Sequence, residues 1–164
     1  MTKTKNYTTA VTLTVFLTVL TCLSPLVSAE HQNALPGKCL VEITSLKEGD
    51  KVGSSATVRG NAAISTEGHL WILSRKSSMG GQWWPQAGGP VEINKNGEWE
   101  AEVYFGRPED VGSNFDVAAV VVGQQKSAEL IKWCSTAKAL DYPPVPFPDA
   151  VSSCSVVAVK VVKR

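Results

Sequence analysis

The chain has 164 residues, 43% of them hydrophobic, and its 16 basic side chains nearly cancel 15 acidic ones, for a formal charge of +1. That length is enough for one ordinary core. The interspersed charges supply neither the positive groove of a nucleic-acid binder nor a polybasic patch for a membrane surface.

Lys3 and Lys5 precede an uncharged stretch over residues 6–29, with an apolar, threonine-laced centre at 11–20. Pro25 breaks this stretch, and Val27-Ser-Ala29 supplies small or tolerated residues before Glu30. This is the layout of a secretory signal peptide, and it predicts cleavage after Ala29. The apolar centre is shorter than a spanning helix requires, so no stable transmembrane anchor is expected after cleavage. Thr21 before Cys22 makes a poor lipid-attachment site. Removing the two lysines leaves 14 basic against 15 acidic side chains, a formal −1. The expected product is secreted or periplasmic, with residues 30–38 as a flexible lead-in and 39–164 as one domain.

From Cys39 to Leu46 the composition is that of a strand, and Lys47-Glu-Gly-Asp50 reads as its turn. Residues 54–60 form the next strand, with Ala56 and Val58 on one face and Ser55, Thr57 and Arg59 on the other. A third strand runs over 70–73, bounded by Gly68 and by the turn residues of 76–81. Trp83 and Trp84 follow in a glycine-rich connection ending at Pro85. The segments 91–93 and 98–105 flank Asn94-Lys-Asn-Gly97, whose Asn-Gly step predicts a hairpin. Trp99, Ala101, Val103 and Phe105 share one face of the longer arm and Glu98, Glu100, Glu102 and Tyr104 the other, the two-residue period of a half-buried strand. Residues 115–122 make a central strand and 154–162 the last.

Between these two the pattern becomes helical. Over 127–140, Leu130, Ile131, Cys134, Ala137 and Leu140 fall near one stripe, with Trp133 at its margin and Ser127 placed to cap. Tyr142-Pro-Pro-Val-Pro-Phe-Pro148 must then be extended or irregular, a return loop to the final strand. About seven mostly antiparallel strands and one helix inserted before the last strand make an all-β, two-sheet sandwich the economical solution.

The succession Gly68-x-Leu70-Trp-Ile-Leu-x-Arg75, Gly81-x-Trp83-x-Pro85-Gln86, Gly97-x-Trp99-x-x-x-Val103-Tyr-x-Gly106 and Asp110-x-Gly112-x-x-Phe115 resembles a group of small bacterial exported immunoglobulin- or fibronectin-III-like sandwich domains. The resemblance spans roughly residues 40–162 and continues in Leu140-x-Tyr142-Pro143. It implies the sandwich fold and supplies no catalytic residues. Cys134, Cys154 and the second tryptophan, Trp84, depart from its pattern.

Export exposes Cys39, Cys134 and Cys154 to an oxidising compartment. The preferred disulfide is Cys134–Cys154, tying the helix to the last strand, where closing the loop contributes on the order of 3 kcal/mol. Cys39–Cys154 is the alternative, since first and last strands of such sandwiches lie together. With the preferred pairing, Cys39 is left as an odd thiol, available for a homodimer. A thiol catalyst would need a base, and the only histidines are His31 and His69. No short paired ligand spacing points to a metal, and no phosphate loop or nucleophile elbow points to a cofactor or an acyl enzyme. The glutamates of 98–102 read as a solvated face.

Trp99 belongs to the core, Trp71 covers the opposite face under the helix, and Trp133 helps that helix dock. Trp83 and Trp84 are the candidate binding surface, with Arg75 and Gln86 giving polar orientation, because indole faces stack on sugars or anchor protein contacts. The expected function is that of a non-enzymatic binding or adaptor domain for a protein or glycan at the cell envelope. A structural or assembly module is the alternative, and a small hydrolase assembled from loop carboxylates is a third reading.

Overall fold

The computed structural model describes residues 39–164, so the expected signal peptide and lead-in lie outside the described residues. The elements run β1 (Leu40–Ile43), β2 (Lys51–Val52), β3 (Ser55–Ala63), β4 (Gly68–Lys76), β5 (Gln82–Pro85), β6 (Glu98–Tyr104), β7 (Asn114–Gly123), α1 (Gln124–Thr136), β8 (Val145–Pro146) and β9 (Val157–Lys163). They build two sheets, a three-stranded one in the order β1-β3-β6 and a six-stranded one in the order β2-β9-β7-β4-β5-β8. All neighbours are antiparallel except β2, which runs parallel to β9. The expected two-sheet sandwich with one helix before the last strand is present. The short strands β2, β5 and β8 add to the expected set.

Strand β6 shows why the pattern of alternation was informative. Trp99, Ala101, Val103 and Phe105 are buried in the core between the sheets, and the glutamates of the other face are exposed. The Asn94-to-Gly97 turn also forms: the Gly97 N–H donates to Asn94 O at 2.9 Å, and Gly97 has a φ of +81°. The expected hairpin does not form. Val91 bridges to Leu70 of β4, its N–H reaching Leu70 O at 2.8 Å, while β6 pairs with β3 from Ser55↔Tyr104 to Asn61↔Glu98. Residues 91–97 therefore carry the chain from one sheet to the other, which lets both Val91 and the apolar face of β6 reach the same inter-sheet core.

Within the three-stranded sheet, Gly60 and Trp99 are fitted to one another. Gly60 lies opposite Trp99 in the β3–β6 register. A Cβ on Gly60 would stand 1.8 Å from the Glu42 carbonyl oxygen and 2.4 Å from Cζ2 of Trp99, so only glycine fits. The Trp99 indole N–H is buried and has no hydrogen-bond partner among the described residues, a cost its packing must offset.

Strands β4 and β7 are buried on both faces. Leu70, Ile72, Val117, Ala119 and Val121 face the inter-sheet core. Trp71, Leu73, Ala118, Val120 and Val122 face outward, where α1 and the proline run cover them. This explains the nearly unbroken apolar run of 115–122. Helix α1 begins at Gln124, three residues before the expected start, with Gly123 at its N-cap. Ser127 is therefore not a cap. It is buried inside the helix, and its hydroxyl accepts the Trp71 indole N–H at 3.1 Å. Of the expected stripe, Leu130 and Ala137 are buried, Cys134 is half-buried, and Ile131 and Leu140 are exposed.

The preferred disulfide is overturned. Cys39 bonds Cys154, with Cα atoms 4.8 Å apart, and Cys134 is free. The reason is the six-stranded sheet itself. Cys39 and Cys154 pack against the core between the sheets, whereas Cys134 packs against the helix-side cluster on the sheet's other face. The intrachain bond also consumes the Cys39 thiol, leaving none for a Cys39-linked homodimer. Burial raises the Cys134 thiol above its ordinary value, so it is a poor nucleophile.

Cys154→Ser should lower unfolding stability by about 4–5 kcal/mol, the scale for a loop of more than a hundred residues, whereas Cys134→Ser should leave the non-reduced peptide map unchanged. Gly60→Ala should cost roughly 3 kcal/mol or more in a urea titration.

Candidate functional site: an aromatic cleft beside the proline run

The return from the helix is held in an uncommon backbone conformation. Asp141 and Tyr142 have φ values of +55° and +50°, a left-handed pair without glycine that costs free energy and needs support. The Tyr142 N–H supplies part of it, donating to Ala137 O at 2.7 Å. Two indoles supply more. Trp84 Nε1 donates to Tyr142 O at 2.7 Å, and Trp133 Nε1 donates to Pro143 O at 2.9 Å. The chain then pairs Val145 with Trp83 and Pro146 with Gln82, so the proline run is both the expected return segment and an edge strand on β5. Proline suits that edge because it has no N–H to leave unpaired.

Beside this segment lies an open cleft of about 1110 Å³. Trp84, Trp133, Tyr104, Tyr142, Pro143 and Pro144 provide its aromatic and ring surfaces, with Met79 at one side. Tyr104, Tyr142 and Met79 are among the most exposed large apolar side chains of the described residues. Because each indole N–H is already bonded to backbone, the tryptophans offer the cleft their apolar surfaces and no free donor. The hydroxyl of Tyr104 stays protonated well into the alkaline range, since Glu102 beside it raises its titration above the ordinary value.

The four residues expected to form a binding surface separate into two roles. Trp84 is half-buried and lines the cleft. Trp83 points the other way into the helix-side core, 6% exposed, edge-on to Phe147 at 4.9 Å and beneath the Arg75 guanidinium at 4.4 Å. Arg75 lines the cleft, but its Nε is bonded to Asp116 at 2.8 Å and its Nη1 to Gly80 O. Gln86 also lines the cleft and is buried. Its Nε2 donates to Trp84 O at 2.9 Å, and its Oε1 accepts the Tyr104 N–H at 2.9 Å. Arg75 and Gln86 thus hold the frame around Trp84. Sequence reasoning missed Tyr104, Trp133 and Tyr142 as members of the site. The available signals were a tyrosine on the polar face of a strand, a tryptophan at the margin of the helical stripe, and a tyrosine before a double proline.

The polar rim is organised around Asp110. It accepts from Lys76 Nζ at 2.8 Å and from the Arg107 N–H at 2.7 Å, while buried Lys163 donates to Arg107 O. The Lys76 hydrogen bond, then the Arg107 N–H, hold the Asp110 carboxyl below its ordinary 3.8, against an opposing effect of burial. A depressed folded value means stability that is present above the ordinary value and lost as pH falls below it. Among the described residues no group of three or more His, Cys, Asp or Glu is placed to hold a metal ion, and no helix is long and apolar enough to cross a membrane.

No protein-family model matches the chain, and no curated protein matches it. Among solved structures, the chain is similar to murine CRIg at 7% identity and a TM-score of 0.33, over 78% of this chain and 99% of that one.

Asp110→Asn should lower the melting temperature at pH 7 and flatten its further decline as the pH falls below Asp110's ordinary 3.8, relative to the unsubstituted protein. An unaltered acid limb in thermal melts would show that Asp110 does not carry this dependence.

Proposed function

We propose that this protein is an exported, immunoglobulin-like binding domain that acts without catalysis and recognises a glycan or protein at the cell envelope. The aromatic cleft carries the reading: two tryptophans from different elements are held in place by the same segment of backbone before any ligand arrives. Preorganised aromatic surface gains affinity because little side-chain freedom remains to be lost on binding. With both indole donors engaged internally, recognition rests on apolar face contact, which suits the carbon-bound hydrogens of a pyranose ring. Asp141, Glu109 and Arg107 lie along the same cleft and would give hydroxyl groups their direction. Met79 favours a second reading, a protein loop inserted into the cleft, since methionine adapts to irregular apolar partners.

Support for export is the signal-peptide pattern of residues 1–29 together with a disulfide that persists in oxidising compartments. Support for a binding role over an enzymatic one is that, among the described residues, the cleft is lined by neither histidine nor cysteine, and that Asp110 is already engaged by Lys76 and Arg107.

The protein should bind a subset of envelope polysaccharides on a glycan array, and Trp84→Ala and Trp133→Ala should each weaken that binding roughly five- to 150-fold, a loss of about 1–3 kcal/mol per stacking face. Trp83→Ala should instead act mainly through stability. Binding that survives both cleft substitutions would remove the cleft from the reading. Binding confined to envelope proteins would select the second reading over the first.

A further inference from the structure

The three-stranded sheet ends on β6, and the register identifies which of its backbone groups face outward. Phe105 N donates to Ser54 O and Gly97 O accepts from Ala62 N, so the odd-numbered residues of β6 bond to β3 and the even-numbered ones face the open edge. Both ends of that edge are closed. Glu98 N donates to Asn94 Oδ1 at 3.0 Å, and Glu98 O accepts from Asn94 N at 2.9 Å. Tyr104 N donates to Gln86 Oε1 at 2.9 Å, and Tyr104 O accepts from Ser74 Oγ at 3.2 Å. Between them, the N–H and C=O groups of Glu100 and Glu102 pair with no group among the described residues. The segment that would have paired there, 91–93, bridges to β4 in the other sheet instead. A groove of about 760 Å³ adjoins this edge, lined by Ala87 and residues 90–94 on one side and by residues 98–100 of β6 on the other, and it extends over residues 59–61 of β3.

We infer that this edge is a second binding site, distinct from the aromatic cleft, which takes an extended peptide of alternating basic and apolar residues by strand addition. The chemistry follows from the register. Residues of an added strand opposite Glu100 and Glu102 share their outer face, where Glu98, Glu100 and Glu102 stand and where, among the described residues, Arg59 at 3.3 Å from Glu100 makes the one ion pair to them. Lysine or arginine is favoured at those positions. The residue between them, opposite Ala101, turns toward Val91 and Ile93, which calls for a β-branched aliphatic side chain. A second copy of this chain is a poor occupant, because pairing β6 with another β6 would bring two rows of glutamates together.

The test uses the whole protein and two soluble peptides, one alternating Lys and Val and one alternating Glu and Val, with binding read by fluorescence anisotropy and by amide exchange. Saturable binding of the Lys–Val peptide alone, with slowed exchange at the Glu100 and Glu102 amides, is the expected result. Glu102→Pro deletes one outward N–H without touching the β3 ladder and should weaken binding roughly three- to tenfold. Glu102→Gln keeps the N–H and should chiefly reduce the salt dependence. Trp84→Ala should leave this binding unchanged, which separates the edge from the cleft. Equal binding of both peptides, or binding without protection at Glu100 and Glu102, overturns the assignment in the unsubstituted protein, even if the proline variant fails to fold. So does the absence of saturable binding, or self-association through β6.

Discussion

The double burial of the β4–β7 pair is the constraint on which the rest of this domain depends. Nine residues of β4 pair with β7 from Gly68↔Gly123 to Lys76↔Phe115, and their side chains alternate between two dry environments. One face is covered by the three-stranded sheet. The other presents Trp71, Leu73, Ala118, Val120 and Val122 and would be an apolar surface of several side chains if left open to water. Helix α1 and the proline run are the cover. Their position places Trp133 and Tyr142 near Trp84, so the cleft is a consequence of how the outer face of the sheet is closed.

The same constraint accounts for the polar groups buried there. Trp71 brings an indole N–H under the helix, and Ser127 supplies its acceptor, which explains a serine inside a helix where it would otherwise be neutral or unfavourable. Arg75 leaves β4 beside Trp83 and meets Asp116 of β7, whose second oxygen accepts from Ser77 at 3.0 Å. The Asp116 side chain is 12% exposed, and paired in this way its carboxylate escapes the large penalty of an isolated buried charge.

What the sequence disclosed was local periodicity, and what it concealed was which face each element chose. The alternation of β3 and β6, the central strand β7, the turn at Asn94 to Gly97 and the return role of the proline run were all legible, because each is set by residues within a few positions of one another. The hairpin expectation failed because a turn signal specifies a reversal and does not specify the sheet to which the incoming arm belongs. The cysteine pairing failed for a related reason: Cys134 and Cys154 are near in sequence, but a helix can dock on either face of a sheet. The candidate site was half-legible. Trp84 could be singled out, while Tyr104, Trp133 and Tyr142 reach it from three separate elements that only the fold brings together.

Gln86 shows how closely the two candidate surfaces are joined. Expected from sequence to orient a ligand, it sits buried between them with both ends of its amide occupied. Its nitrogen holds the carbonyl of Trp84, which lines the cleft, and its oxygen holds the N–H of Tyr104, which closes one end of the β6 edge. A glutamate of the same length would lose the donor to Trp84 O, and a leucine would leave the Tyr104 N–H without its acceptor. The residue therefore does its work one step behind the surface. It ties the end of β6 to β5, so that Tyr104 lines the aromatic cleft while Glu102 and Glu100, two and four residues back along the same strand, are left with their backbone open.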